Sequence, residues 1–270
     1  CRPHHEPPDD ERRLHMTQLN ADASASHTPD KRSGHLDERP GMLRGGATLT
    51  LQTRQAQRLV KGRAASAEKS AIVGLIGFAN RIRTLWHGAR ADDPYADWWL
   101  LQVHDALDQA ERALVSLEQS VTSRFEALGA IDVALPASIK PARIALNFSN
   151  PYAFRAAGLI GRFDALACKV LGARHVGLLG RDEAEKTLHQ GGRRVRRALQ
   201  SPVGYRLIGV TRDDVGQGTT KAMQAHEAMG EIPDEVLSGT YRAPHAPTVA
   251  SERPRAVTDA VRLRSLPDEG

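Results

Sequence analysis

The chain of 270 residues contains little cysteine and few aromatic side chains. Its two cysteines, Cys1 and Cys168, are too few for a disulfide framework or a zinc knuckle. Aromatic residues make up only 4% of the sequence, so any core has to be aliphatic and rich in alanine, which favours packed helices. The sequence also lacks a recognisable metal-binding spacing, and we predict no metal and no cofactor.

Long apolar runs are missing as well. The most apolar segment, Ala71–Ala79, is much shorter than a membrane span and is interrupted by two glycines. The first residues carry no apolar stretch of the kind found in a signal peptide. We therefore expect a cytoplasmic protein without a membrane partner. We also expect translation to begin at Met16 or Met42, with residues 1–15 as an upstream extension.

Composition divides the chain into three parts. Residues 1–44 are rich in proline, histidine and charged side chains and nearly free of apolar ones, so they cannot offset the entropy cost of ordering and are expected to be disordered. Residues 241–270 contain four prolines and read as a second disordered tail. The predicted helical domain is residues 45–240. The formal charge of +5 permits nucleic-acid binding without requiring it.

The most informative stretch, 143–171, changes from a strand pattern to a helix pattern. Apolar and more polar residues first alternate with a period of two, as in a strand with one buried face. Asn150 then stands at an N-cap position and Pro151 at the first helical position, where its missing N–H costs nothing. The apolar positions of the strand are Ile144, Leu146 and Phe148, and the alternating positions are Arg143, Ala145 and Asn147.

A second strand with one polar face occurs in residues 47–53. Leu49 and Leu51 point one way, and helix-forming residues follow at once. We predict that the two strands pair with each other as an intramolecular pseudo-dimer of ribbon-helix-helix type, whose outward side chains read base edges in the major groove. The alternative is a hairpin that caps a helical domain without binding nucleic acid. The predicted base-reading residues are Thr48, Thr50, Gln52, Arg143, Ala145 and Asn147.

The remaining periodicity predicts a mainly α fold. Helices are expected over 54–63, 66–90, 94–128, 151–171 and 182–199, with short helices within 205–240, and the strand–helix units span 47–90 and 142–199. Asp93 is the expected N-cap of the long helix. That helix has a heptad pattern, so it packs along a neighbour. We favour a neighbour in the same chain over a second subunit of a homodimer.

A dense basic cluster lies near the end of the second strand–helix unit. It would neutralise DNA phosphates and supply affinity that falls with salt, unless it is only a solvated helix face. We predict phosphate contacts from this cluster, and from Asn150 at its helix N-terminus. No nucleophile–base pair is recognisable, and capping explains the carboxylates near residue 93, so we predict no enzymatic activity. The cluster consists of Arg193, Arg194, Arg196 and Arg197.

Three segments together resemble a known family. They are LTLQTRQAQRLVKGR, FANRIRTLWHGARADDPYADWWLL and IALNFSNPYAFRAAGLIGRFDALACKVLGARHVGLL, within roughly residues 42–240. They resemble the integrating conjugative element proteins once grouped as a domain of unknown function, which are related to the AcaB-type activators of conjugative plasmids. This resemblance implies a ribbon-helix-helix protein that binds promoter DNA, with Arg143 and Asn147 as base readers and Ala145 between them.

Taken together, these features predict a DNA-binding transcriptional regulator of an integrating conjugative element, with double-stranded DNA as its partner. The alternative is a structural or accessory protein of the conjugation machinery without enzymatic activity. Such a protein would use the long heptad helix to bind another protein encoded by the same element.

Overall fold

The fold, taken from a computed structural model, is mainly helical with one two-stranded antiparallel sheet, which confirms the predicted fold class. The structure describes residues 46–129 and 131–250. The expected disordered segment 1–44, both candidate start sites and residues 251–270 lie outside the described residues. The elements in chain order are β1 (Ala47–Leu51), α1 (Arg54–Lys61), α2 (Leu75–Arg90), α3 (Pro94–Glu126), β2 (Ala142–Leu146), α4 (Pro151–His175), α5 (Arg181–Gln200), α6 (Arg212–Gln217), α7 (Thr220–Met229) and α8 (Asp234–Leu237).

The two proline-marked helix starts are confirmed. The Asp93 carboxylate accepts hydrogen bonds from the backbone N–H groups of Tyr95 at 2.9 Å and Ala96 at 3.2 Å, and α3 begins directly afterwards. The Asn150 side-chain oxygen accepts one from the Ala153 N–H at 2.9 Å, where α4 begins. Local capping chemistry therefore sets where both long helices begin.

The predicted helix over 66–90 is wrong in its first part, because α2 begins only at Leu75. Residues 63–72 form a small hairpin instead, closed by bridges between Arg63 and Ile72 and between Ser66 and Lys69. At its base the backbones nearly touch: a Cβ on Gly62 would lie 2.3 Å from the Ile72 carbonyl oxygen. A Cβ on Gly74 would lie 2.4 Å from the Gly62 nitrogen, so both positions require glycine.

Helices α3, α4 and α5 pack against one another and form the centre of the core. The ion pairs between α3 and α4 show that these helices run parallel, because the residue numbers of both partners rise together. Helix α5 runs back along them, and its approach is close: a Cβ on Gly191 would lie 3.1 Å from the Phe163 ring and 3.3 Å from Leu114. The ion pairs join Asp108 to Arg155, Glu111 to Arg162 and Glu118 to Lys169.

The heptad face of α3 is buried within its own chain. Its apolar residues belong to one continuous core with residues of α2, α4 and α5, as the prediction of a neighbour in the same chain implied. The buried positions are Leu100, Val103, Leu107, Ala110, Leu114 and Val121.

A buried carboxylate in α3 holds the end of the described chain. The fully buried Asp97 accepts hydrogen bonds from Arg212 Nη2 at 2.7 Å and from Arg242 Nε and Nη2, both at 2.8 Å. Burial alone would lower the pKa of Arg212, but the carboxylates of Asp97 and Asp92 outweigh it and raise that pKa above its usual value. Residues 241–250, part of the predicted tail, thus lie against the helices, and the Ala250 N–H donates to the Arg90 carbonyl.

We expect Asp97→Ala to lower the free energy of unfolding by about 3–5 kcal/mol, because two guanidinium groups would lose their shared carboxylate in a buried site. Urea unfolding followed by circular dichroism measures this change. Asp105→Ala, at an exposed position of the same helix, is the matched control and should change stability by less than about 0.5 kcal/mol. Equal loss from both variants would contradict the structural role of Asp97.

Candidate nucleic-acid interface

The two strands pair with each other as predicted. In the antiparallel register Thr48 faces Ala145 and Thr50 faces Arg143, with Leu49 and Ile144 as the central pair. Residues directly opposite each other in an antiparallel pair have side chains on the same face of the sheet. The polar side chains predicted from the two separate stretches therefore lie together on one face of one ribbon.

That face is open to solvent along its length. Thr48, Thr50, Arg143 and Ala145 are exposed, and Asn147 is exposed just beyond the end of β2. Gln52 differs from the others, because it is half-buried and its side-chain oxygen accepts a hydrogen bond from the Ser138 N–H at 2.9 Å. Its amide NH₂ group is the part that remains for an outside partner.

The opposite face of the ribbon packs onto α4. Leu51 is buried and Leu49 is half-buried, and a Cβ on Gly161 would lie 3.5 Å from Leu49 Cδ1. Leu49 thus meets the surface of α4 at Gly161, at a distance where a Cβ would make an ordinary van der Waals contact. One face of the ribbon is consequently fixed on the core while the other is presented to solvent.

A single carboxylate fixes the corner between β1 and α1. Asp164 of α4 is buried and accepts hydrogen bonds from the Gln52 N–H at 2.6 Å and the Thr53 N–H at 2.8 Å. The Thr53 hydroxyl also donates to Asp164 at 2.6 Å. The same Thr53 oxygen accepts from the Ala56 N–H at 3.3 Å and so caps α1. Asp164 therefore sets both where the ribbon ends and where α1 begins.

Asn150, a predicted phosphate contact, lies at the corresponding corner between β2 and α4. Its side chain is buried, and its oxygen is occupied by the Ala153 N–H of its own helix. The capping role of the Asn150 oxygen is thus visible in the structure, and its amide NH₂ group is the part of the side chain that could donate to a phosphate.

The arginine cluster is divided between two sides of α5. Arg193, Arg194 and Arg197 are exposed and line a groove of about 580 Å³ between α3 and α5. Arg196 is half-buried near Phe163, and burial lowers the pKa of its guanidinium. The cluster therefore lies on α5, whereas the ribbon packs on α4. The remaining residues that line the groove are Ala113, Ser116, Leu117 and Gln190.

Other kinds of site are not evident in the described part of the chain. Within residues 46–129 and 131–250, no cluster of three or more histidine, cysteine, aspartate or glutamate side chains could hold a metal ion. Cys168 is buried, and burial raises the pKa of its thiol. None of the described helices combines the length and apolar character needed to cross a membrane.

Asp164 was not among the residues predicted from the sequence. One signal was available, because Asp164 is a charged residue between Phe163 and Leu166 on a helix whose neighbouring positions are apolar. A carboxylate placed among buried positions requires hydrogen-bond donors, since burying an unpaired charge is costly. The identity of those donors depends on the fold, because Thr53 and Asp164 are 111 residues apart in the chain.

Comparisons with known proteins show a family from the sequence and a similar fold from a solved structure. Residues 39–250 match the family model described as the transcriptional regulator AcaB. The crystal structure of selenomethionine-containing AcaB from uropathogenic E. coli is similar, with a TM-score of 0.52 and 16% sequence identity, covering 72% of this chain and 95% of that one. At this identity the likeness concerns the fold. No curated protein sequence matches the chain.

We expect Asp164→Ala to destabilise the corner of the ribbon. The two backbone N–H groups and the Thr53 hydroxyl would lose their acceptor, which costs about 1–3 kcal/mol in the free energy of unfolding. Urea unfolding measures that loss, and amide hydrogen exchange should show faster exchange at Gln52 and Thr53. Asp132→Ala, in an exposed loop, is the control. Unchanged exchange at these two amides would rule out this role for Asp164.

Proposed function

Because the chain belongs to the AcaB family of transcriptional regulators, we propose that it regulates transcription by binding double-stranded DNA through the exposed face of the β1–β2 ribbon. The observation that carries this proposal is the register, which joins polar side chains from two distant stretches on one solvent-facing surface. A ribbon of this kind can enter the major groove, which is about 12 Å wide. We further propose that the protein acts without catalysis, in the cytoplasm, on genes of an integrating conjugative element.

Each side chain on the ribbon face suits a particular base edge. Arg143 can donate two hydrogen bonds to a guanine, and Asn147 can bond an adenine at two positions. Thr48 and Thr50 can each give one hydrogen bond or touch a thymine methyl group, and Ala145 leaves room for such a methyl group. Gln52 contributes its amide NH₂ group.

The arginine groove supplies the proposed contacts to phosphates. Arg193, Arg194 and Arg197 are exposed on one side of α5, and none of them forms a salt bridge within the described residues. Arginine is suited to phosphate because its guanidinium offers two parallel donors. Arg196 lies toward α4, so its part in this role would be smaller.

The alternative role as an accessory protein has less support. It relied on an apolar face of α3 for binding a partner, and that face is buried inside the chain.

Fluorescence anisotropy tests the proposal directly. The protein is titrated into labelled DNA from upstream of the element's own transfer genes and, separately, into scrambled DNA of equal length. Both titrations are done at two salt concentrations. Tighter binding to the upstream DNA that persists at the higher salt supports the proposed function. Equal, salt-sensitive binding to both DNAs would contradict the proposal that the ribbon reads base sequence. No binding to either DNA would contradict the proposal that DNA is the partner.

We expect Arg143→Ala to reduce the discrimination between upstream and scrambled DNA by about 1–3 kcal/mol, because one bidentate contact to a base is lost. The ratio of the two dissociation constants measures it. Arg174→Ala removes the same charge from an exposed position outside the ribbon and should leave that ratio unchanged. If the two variants behave alike, Arg143 does not read a base.

Replacing Arg193, Arg194 and Arg197 by alanine should weaken binding to both DNAs by the same factor and flatten the salt dependence, because phosphate contacts carry no sequence information. The slope of log affinity against log salt should fall by up to about 0.9 for each lost contact. Replacing Arg174, Arg206 and Lys221, three exposed basic residues elsewhere, removes the same charge and is the control. A loss of discrimination in the triple variant would contradict a role limited to phosphates.

A further inference from the structure

A basic surface adjoins the first strand of the ribbon. Residues 54–73, which form α1 and the hairpin after it, contain five basic side chains and a single acidic one, Glu68. All five basic residues are exposed. We call them the α1–hairpin surface: Arg54, Arg58, Lys61, Arg63 and Lys69.

The charge of this surface is not neutralised by the rest of the described chain. None of the five residues forms a salt bridge with any residue in 46–129 or 131–250. Helix α4, which follows the other strand, behaves differently, because its basic row pairs with acids of α3. The two helices that leave the ribbon therefore present unequal charge to solvent. The paired row is Arg155, Arg162 and Lys169.

The position of the surface relative to the ribbon is fixed. Arg54 begins α1 three residues after the end of β1, at the corner that Asp164 holds through Gln52 and Thr53. At the other end of α1, the close backbone approach of Gly62 and Gly74 fixes the base of the hairpin. The positive charges of α1 and the hairpin therefore have a fixed position beside the proposed base-reading face.

The chemistry of the surface suits a polyanion with regularly spaced charges. Arg54, Arg58 and Lys61 recur at intervals of four and three residues, so they share one face of α1. They span about 10 Å of helix, which is comparable to the rise of roughly three phosphates of one strand along the axis of B-DNA. The exposed hairpin residues 64–71 are alanine, serine, glutamate and lysine, so the loop offers no large apolar side chain to a protein partner.

We propose that the α1–hairpin surface follows the DNA sugar–phosphate backbone beside the ribbon and supplies sequence-independent affinity on that flank of the site. This inference rests on the proposed function, because it takes DNA bound at the ribbon as its starting point. The proposed complex is asymmetric. On the α1 side of the ribbon, basic side chains contact the flanking DNA backbone, whereas on the α4 side the basic row is paired with acids of α3.

The test replaces Arg54, Arg58 and Lys61 by alanine, which favours helix at exposed positions and so should preserve the fold. Circular dichroism and the urea midpoint check that the fold is unchanged. In anisotropy titrations over a range of salt, affinity for upstream and scrambled DNA should fall by the same factor, at least about tenfold at low salt. The salt slope should become shallower by about 2–3, and the ratio of the two affinities should stay the same.

The matched control replaces Arg174, Arg206 and Lys221, three exposed basic residues elsewhere, and changes the net charge by the same amount. It should leave the salt slope nearly unchanged, and an equal effect would overturn the inference by showing that only net charge matters. Hydroxyl-radical footprinting should show that the α1 variant loses protection on one flank and keeps it at the centre.

Two further outcomes separate the inference from the proposed function. If the wild-type protein reads the upstream DNA and the α1 variant binds with the same affinity and slope, the inference fails and the proposed function stands. If the wild-type protein binds neither DNA, the proposed function fails and the inference fails with it.

Discussion

The constraint on which the fold depends is the burial of α4. This helix contacts α1, α2, α3, α5 and β1, so most of its surface has no access to water. Polar groups on such a helix are tolerated only where a partner meets them. Asp164 meets the backbone of the corner after β1, and the basic row along one edge meets the acids of α3. The few polar residues of α4 therefore determine how its neighbours are placed.

The ribbon takes its stability from this helix. A two-stranded sheet of five residues per strand is marginal in water without further packing. Here Leu49 packs close to Gly161, and Asp164 accepts a hydrogen bond from the backbone just after β1. Both contacts lie away from the outward face, so the ribbon is stabilised without it. Pairing within one chain also means that each molecule carries a complete ribbon. The outward side chains therefore take no part in the core and are exposed to solvent.

Local sequence signals predicted a large part of the fold and of the candidate site. The caps at Asp93 and Asn150 placed the starts of both long helices, because an N-cap acts within three residues of itself. The alternation of apolar and polar residues predicted which side chains of each strand share a face, because side-chain direction in a strand has a period of two. The antiparallel pairing of the two strands, inferred from their similarity, is confirmed as well.

The sequence by itself thus determined the helices, the two strands and the polar face of each. Only the tertiary structure decided the register that places Thr50 opposite Arg143, the engagement of Gln52 with Ser138, and the separation of Arg196 from its neighbours. It also decided that residues before Leu75 form a hairpin. The reason is the same throughout: each of these features depends on atoms supplied by a segment outside the local pattern, and periodicity carries no information about which segment that is.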